Sequence, residues 1–254
     1  MNKEIKTIVA TKPTVMLQYS MVTLIDSLQS HFFGNEKCIC ITGSGGKTTA
    51  LVLLAQAYAM QQKRVLVSTT TKVRYPEDRD YHCDHYFWDE TIFSHVCKQG
   101  ERVFFAKRGP LKAEAPAVED LEQLQASYDV MLLEADGARG MALKLHSERD
   151  PVVPYFTTAT LAIASFAVFG KHLRESCFGC ETMEDRLIDE TTYRMLLTHT
   201  EGIQKRMRGV CAILFNQAEK TDPAKAANLA AYFPKLNLFF GSLEQNILIQ
   251  RNTP

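Results

Sequence analysis

The sequence predicts an α/β fold with a mostly parallel sheet and helices on both of its faces. Short, continuous apolar runs such as Cys38-Ile39-Cys40-Ile41 and Val130-Met131-Leu132-Leu133 read as strands buried on both sides. They alternate with stretches of helical periodicity, the order that right-handed crossover units produce. A glycine-rich segment, Gly43-Ser44-Gly45-Gly46-Lys47-Thr48-Thr49, stands between the first apolar run and an amphipathic stretch, so strand, turn and helix follow one another there.

Taken in order, Thr14 to Phe33 reads as a helix with Val15, Val22, Ile25 and Leu28 on its apolar positions, ended by Gly34-Asn35. Cys38 to Ile41 is the first strand, Thr48 to Gln62 the next helix, Arg64 to Ser68 the second strand and Arg102 to Ala106 the third. The polar, aromatic-bearing section from Tyr75 to Gly100 resists assignment. Glu119 to Ser127 is expected as a short helix and Val130 to Leu133 as a strand, with a further strand over Leu161 to Val168 and a helix over Glu184 to Leu197. Val210 to Phe215 reads as a strand, Pro223 to Tyr232 as a helix and Leu236 to Phe240 as the last strand. No repeat, low-complexity tract or Gly/Ser linker divides the chain. One domain over residues 1–254 is therefore expected, with irregular insertions at about 75–100 and 138–160.

At 254 residues and 46% hydrophobic composition the chain can bury a full core. Its 29 acidic and 29 basic residues balance, which argues against nucleic acid or an anionic membrane as partner. The amino-terminal Met-Asn-Lys-Glu-Ile-Lys lacks the apolar core of a secretory signal. Tyr155 to Phe169 is too short and too rich in threonine to span a bilayer, and the expectation is a cytoplasmic protein. Of seven cysteines, Cys38, Cys40 and Cys211 fall in apolar runs, where a reduced thiol packs as a small hydrophobe. Cys177 and Cys180 form the single Cys-x-x-Cys; zinc there would need two more ligands, for which His82, Cys83 and His85 are candidates, and redox use is the other special role. The histidines otherwise show no spacing that argues for a shared site.

The glycine-rich segment carries the chemistry. Glycines between strand and helix let backbone N–H groups of Gly43, Ser44, Gly45 and Gly46 converge on an anion, and the helix N-terminus at Thr48 and Thr49 adds partial positive charge. Lys47 would meet the outer phosphates of ATP or GTP and the Thr48 hydroxyl would take Mg²⁺. The usual formula places a glycine where Ile41 stands. The shorter Gly-x-x-Gly-Lys-Thr-Thr instead resembles the loop of Mur ligases and folylpolyglutamate synthetases, and the fold expected is P-loop NTPase-like.

At other strand ends stand candidate partners of such a nucleotide. Glu134 and Asp136 close an apolar strand and could hold Mg²⁺ or orient water; strict strand alternation would set both on one face, although Gly137 could start a turn. Thr70, with Thr71, could reach the γ-phosphate or its metal water, and Lys72 is a cation at the same edge. Asn216-Gln217-Ala218-Glu219 follows an apolar strand where many GTPases carry Asn-Lys-x-Asp, making Asn216 a candidate base contact while leaving adenine open. Arg139, Lys144 and His146 could clamp a second anionic substrate or the γ-phosphate in the transition state.

Together, Ile41 to Thr49, Thr69-Thr70-Thr71-Lys72, Leu133-Glu134-Ala135-Asp136-Gly137, Lys144 and Pro151-Val152-Val153-Pro154 resemble the YqeC family, in an order that extends from about Leu24 to about Gly241. The resemblance implies an accessory role in the maturation of selenium-dependent molybdenum hydroxylases, in providing or inserting the molybdenum cofactor, with a hydroxylase or a cofactor carrier as protein partner. Two activities are compatible with it. One is Mg²⁺-dependent hydrolysis or phosphoryl or nucleotidyl transfer, with Lys47, Lys72, Glu134, Asp136 and Arg139 at the reacting phosphate. The other is a nucleotide-gated assembly or scaffold protein with little turnover of its own.

Overall fold

A computed structural model describes residues 22–252. The part of the expected first helix before Val22 lies outside the described residues. From Leu24, α1 (Leu24–Phe32) starts on a Thr23/Asp26 capping box and leads into β1 (Cys38–Gly43), α2 (Lys47–Met60) and β2 (Val65–Thr69). The unassigned section supplies β3 (His85–Phe87) and a 3₁₀ turn, Glu90–Ser94, before β4 (Arg102–Phe105). Next come α3 (Val118–Leu124), β5 (Val130–Glu134), the two-residue β6 (Leu143–Lys144), β7 (Ala159–Ser165), α4 (Leu173–Ser176) and β8 (Cys177–Phe178). The chain closes with α5 (Glu190–Thr198), β9 (Val210–Asn216), α6 (Pro223–Tyr232), β10 (Leu238–Ser242) and β11 (Ile247–Asn252).

Nine strands form one sheet in the order β11-β10-β9-β7-β1-β5-β2-β4-β3. All neighbours are parallel except β10 and β11; β6 and β8 pair separately. The expected α/β class with a mostly parallel sheet is what the chain adopts. Strand alternation divides the core into layers. Ile39, Ile41, Val65, Val67, Val130 and Leu132 pack with α1 and α2. Their neighbours Cys38, Cys40, Leu66, Met131 and Leu133 face α3, and Ala162, Ile213 and Phe215 face α5 and α6. Helices thus cover both faces.

Three expectations change. The helix expected over Glu184 to Leu197 begins only at Glu190, because Asp189 accepts from the Thr192 N–H and sets the start of α5. Leu236 to Phe240 is not the last strand, since β11 adds antiparallel to the edge. The 75–100 section is part of the sheet, through β3.

β1 stands at the switch point of the sheet. It lies between β5 and β7, so the chain leaves its carboxyl end toward β2 on one side and later returns to the other. A crevice at such a point receives ligands in open parallel sheets.

Candidate functional site

The Gly43–Gly46 turn leaves β1 and enters α2 at Lys47. Gly43 has φ +88°, and a Cβ there would stand 2.1 Å from the Ile163 carbonyl oxygen. Gly46 has φ +143°, and its Cβ would meet Asn216 Nδ2 at 2.6 Å. Both positions exclude side chains, which keeps the turn flat against β7 and β9. Among described helices of nine residues or more, α2 alone lacks a side-chain cap, so its first N–H groups remain available to an anion.

A cleft of about 340 Å³ opens over this N-terminus. Lys47, Lys72, Arg74, Arg79, Lys112 and Arg139 line it, against the single carboxylate of Glu134. In a chain of zero formal net charge, that concentration of one sign gives the cleft a positive potential of the kind that attracts anions.

Strand alternation places Glu134 on the α2 face of β5, beside the first turn of that helix. Thr48 Oγ1 donates to Glu134 Oε2 at 2.9 Å, and Lys47 Nζ lies 3.9 Å from Oε1. Burial pushes the Glu134 carboxyl above its ordinary value, opposed by the Lys47 charge and the Thr48 hydroxyl. Lys47 is itself buried and donates to the Gly43 carbonyl at 2.6 Å.

Asp136 differs from the expectation that it reaches a metal ion. It is 0% exposed. Its Oδ2 accepts from the Gly43 N–H at 3.0 Å and contacts His146 Nε2 at 2.8 Å; Lys144 Nζ lies 3.2 Å from Oδ2 and Lys47 Nζ 3.2 Å from Oδ1. Burial alone would raise its pKa, but Lys47, the His146 hydrogen bond and Lys144 outweigh it and hold the carboxyl at about 2. Lys144 and His146 therefore stand behind the loop, not in the cleft: Lys144 also donates to the Gly137 carbonyl and pairs with Asp150.

Two further residues are turned inward. The Thr70 hydroxyl donates to the Val152 carbonyl at 2.6 Å, and the Thr69 hydroxyl before it donates to the Glu134 carbonyl at 2.9 Å. Asn216, expected at the base, spends both ends of its amide on the protein: Nδ2 donates to the Gly45 carbonyl at 2.7 Å and Oδ1 accepts from the Leu243 N–H at 2.9 Å. Lys72 and Arg139 do reach the cleft; Lys72 pairs with Glu114 at 2.7 Å, and the Arg139 guanidinium rests 5.3 Å from the Phe178 ring centroid. Ser44 is buried beneath the turn and Thr49 lines the cleft.

Sequence reasoning missed Arg74, Arg79 and Lys112. Arg79 donates to Thr49 Oγ1 at 2.9 Å, reaching back from the segment that carried no assignable periodicity. Arg74 and Arg79 do follow the carboxyl end of β2, and that position was the available signal. Cys177 and Cys180 are buried free thiols with Sγ atoms 2.6 Å apart. The further zinc ligands considered for them, His82, Cys83 and His85, lie on or beside β3, at the far edge of the sheet from β11. No helix among the described residues is long and apolar enough to cross a membrane.

A family model described as YqeC protein matches residues 39–181. The chain is 31% identical over 131 residues to the uncharacterized protein YqeC of Escherichia coli (strain K12), a match covering 49% of this chain and 50% of that one, so it spans about half the length of this relative. The crystal structure of the hydrogenase maturation factor HypB from Archaeoglobus fulgidus aligns with a TM-score of 0.45 and 13% identity, over 87% of this chain and 89% of that one. Since the matched span, from β1 past the Cys-x-x-Cys, holds more than half of the sequence, the chain belongs to the YqeC family.

Proposed function

We infer that this protein binds a nucleoside triphosphate with Mg²⁺, as one P-loop NTPase-like domain, in the maturation of selenium-dependent molybdenum hydroxylases. The observation that carries the nucleotide reading is the Thr48–Glu134 pair at the foot of the uncapped α2, under a cleft with six cations. The triphosphate lies along the Gly43–Thr49 turn, which has the short spacing of the Mur-ligase loop. Lys47, Lys72, Arg79 and Arg139 meet its outer oxygens.

The donor set fits magnesium: a hydroxyl and a carboxylate, both hard oxygen ligands, already adjacent and partly open to the cleft. Thr48 and Glu134 would hold the ion, which when bound neutralises charge on the phosphates. Asp136 acts from behind, as the counter-charge that fixes Lys47. The maturation role rests on family resemblance, with a hydroxylase or a cofactor carrier as partner.

A second reading, a nucleotide-gated assembly factor with little turnover of its own, is favoured by one observation. Glu134 is the only carboxylate among the described residues lining the cleft, so once it holds the ion beside Thr48 no second carboxylate stands there to act as general base. Base choice has one lead as well. Both carboxylate oxygens of Glu219 are buried without a hydrogen-bond partner, and guanine offers such a group two adjacent donors where adenine offers one.

Calorimetric titration with ATP and with GTP in Mg²⁺ tests the reading. Binding near ~10 μM, about −7 kcal/mol, should weaken roughly tenfold or more in Lys47→Ala, as loss of a charge-assisted contact requires, with GTP the tighter ligand. If neither nucleotide binds, the central claim fails.

A further inference from the structure

We propose a second ligand site on the opposite rim of the sheet, in which His85, His95 and Glu101 bind one divalent transition-metal ion, with zinc the best match. His85 opens β3, His95 follows the Glu90–Ser94 turn and Glu101 precedes β4, so three separate segments deliver the donors. β3 and β4 run parallel to β1 through the sheet, and these residues stand at amino ends, whereas the glycine turn leaves a carboxyl end. The two sites are therefore independent.

The geometry converges on a point. His85 Nε2 lies 2.8 Å from Glu101 Oε1 and His95 Nε2 lies 3.2 Å from Oε2, and one donor atom from each residue falls within 4.8 Å of the other two. Tetrahedral zinc with bonds of about 2.0–2.1 Å needs donors roughly 3.3 Å apart; the 2.8 and 3.2 Å contacts already stand near that spacing, and a pair at the 4.8 Å bound would close by about 1.5 Å, within reach of imidazole and carboxylate rotation. The Lys98 N–H donates to Glu101 Oε2 at 2.9 Å, fixing the carboxylate as outer partners of ligands do. The imidazoles pack at 4.9 Å, with Phe87 at 5.1 Å from His95. Two imidazoles and one carboxylate are a donor set suited to zinc with one coordination position open, and the half-exposed His85 gives that position to solvent. Bound metal would tie the 75–100 section to the core strand β4. It also brings together histidines whose spacing suggested no common site, and leaves Cys177 and Cys180 outside it.

The test uses the full chain, stripped with a chelator and dialysed, titrated with Zn²⁺ in competition with a chromophoric chelator while excess Mg²⁺ is present. One equivalent should bind. His85→Ala and His95→Ala should each weaken it by more than the roughly 10–100-fold that loss of an outer partner costs, while the Cys177→Ser/Cys180→Ser double variant leaves it unchanged. Stripped variants that melt with the stripped parent show that the loss is not unfolding. Co²⁺ should give the visible absorption of a tetrahedral site without a thiolate band, and lose it in either histidine variant. Absence of a stoichiometric equivalent, or binding indifferent to both histidine substitutions, overturns the proposal and leaves a plain hydrogen-bonded trio.

Discussion

Replacing Asp136 by asparagine keeps its shape and removes the charge that Lys47, Lys144 and His146 face. Oδ2 already receives the Gly43 N–H and His146, and Oδ1 faces Lys47, so whichever way the amide turns, its NH₂ points at a donor. Breaking a buried ion pair by neutralising one partner costs about 3–5 kcal/mol. Lys47 retains the Gly43 carbonyl and Glu134, and Lys144 retains the Gly137 carbonyl and Asp150, which places the expectation near ~3 kcal/mol. For a chain of this size that lowers Tm by roughly 6–12 °C. Urea unfolding should show a lower midpoint at unchanged m. Acid supplies a second reading of the same pair. The folded carboxyl sits at about 2 against an ordinary 3.8, so between those values the unfolded chain binds more protons than the native one. Stability from this group is complete above the ordinary value and is lost as pH falls through the folded one, by about 2 kcal/mol. The asparagine variant lacks that loss, and the two proteins should draw together in acid. An asparagine variant within about 1 kcal/mol of the parent at neutral pH, or a gap that stays constant down to the acid limit, would refute the reasoning.

Glu134→Gln should behave oppositely for stability: burial raises this carboxyl, so the native state disfavours its charge and the neutral isostere should unfold no earlier than the parent at neutral pH. In the same variant, the Mg²⁺-dependent part of nucleotide affinity should drop about tenfold or more, and any turnover should fall; turnover left untouched counts against Glu134 as the ion's ligand. Gly46→Ala should abolish nucleotide binding in calorimetry, since φ +143° and a Cβ at 2.6 Å from Asn216 Nδ2 force the turn to move; retained affinity would mean that the turn does not cradle phosphate.

The parallel sheet was legible because its strands are buried on both sides and so read as unbroken apolar runs; β1, β5 and β7 are buried at every position. β11 was not, because no residue in it is fully buried and its antiparallel return from β10 needs no intervening helix. That the glycine turn, Lys47, Thr48 and Glu134 stand together could be read in advance from strand, turn and acid at strand end. Thr70 and Asn216 were misplaced for a shared reason. A polar residue at the carboxyl end of a parallel strand can face either the ligand or the backbone of the next loop, and pattern alone does not distinguish them. Lys112 was invisible because it arrives from a segment without periodicity, about sixty residues along the chain, and Arg79 offered only its position after β2.

That inward turn has a physical purpose. Glycine loses more conformational freedom on ordering than any other residue, and a loop with left-handed φ at Gly43, Gly45 and Gly46 would be costly to order around a ligand if nothing held it beforehand. Asp136 holds the Gly43 N–H, Lys47 the Gly43 carbonyl and Asn216 the Gly45 carbonyl, while the Ser44 N–H donates to Ile163 of β7. The turn is thereby tied to β5, to β7 and to β9, on both sides of β1. Polar residues that a ligand-centred reading assigns to the nucleotide instead fix the backbone of the turn, so that the ordering cost for the proposed phosphate ligand would be met in the folded chain beforehand.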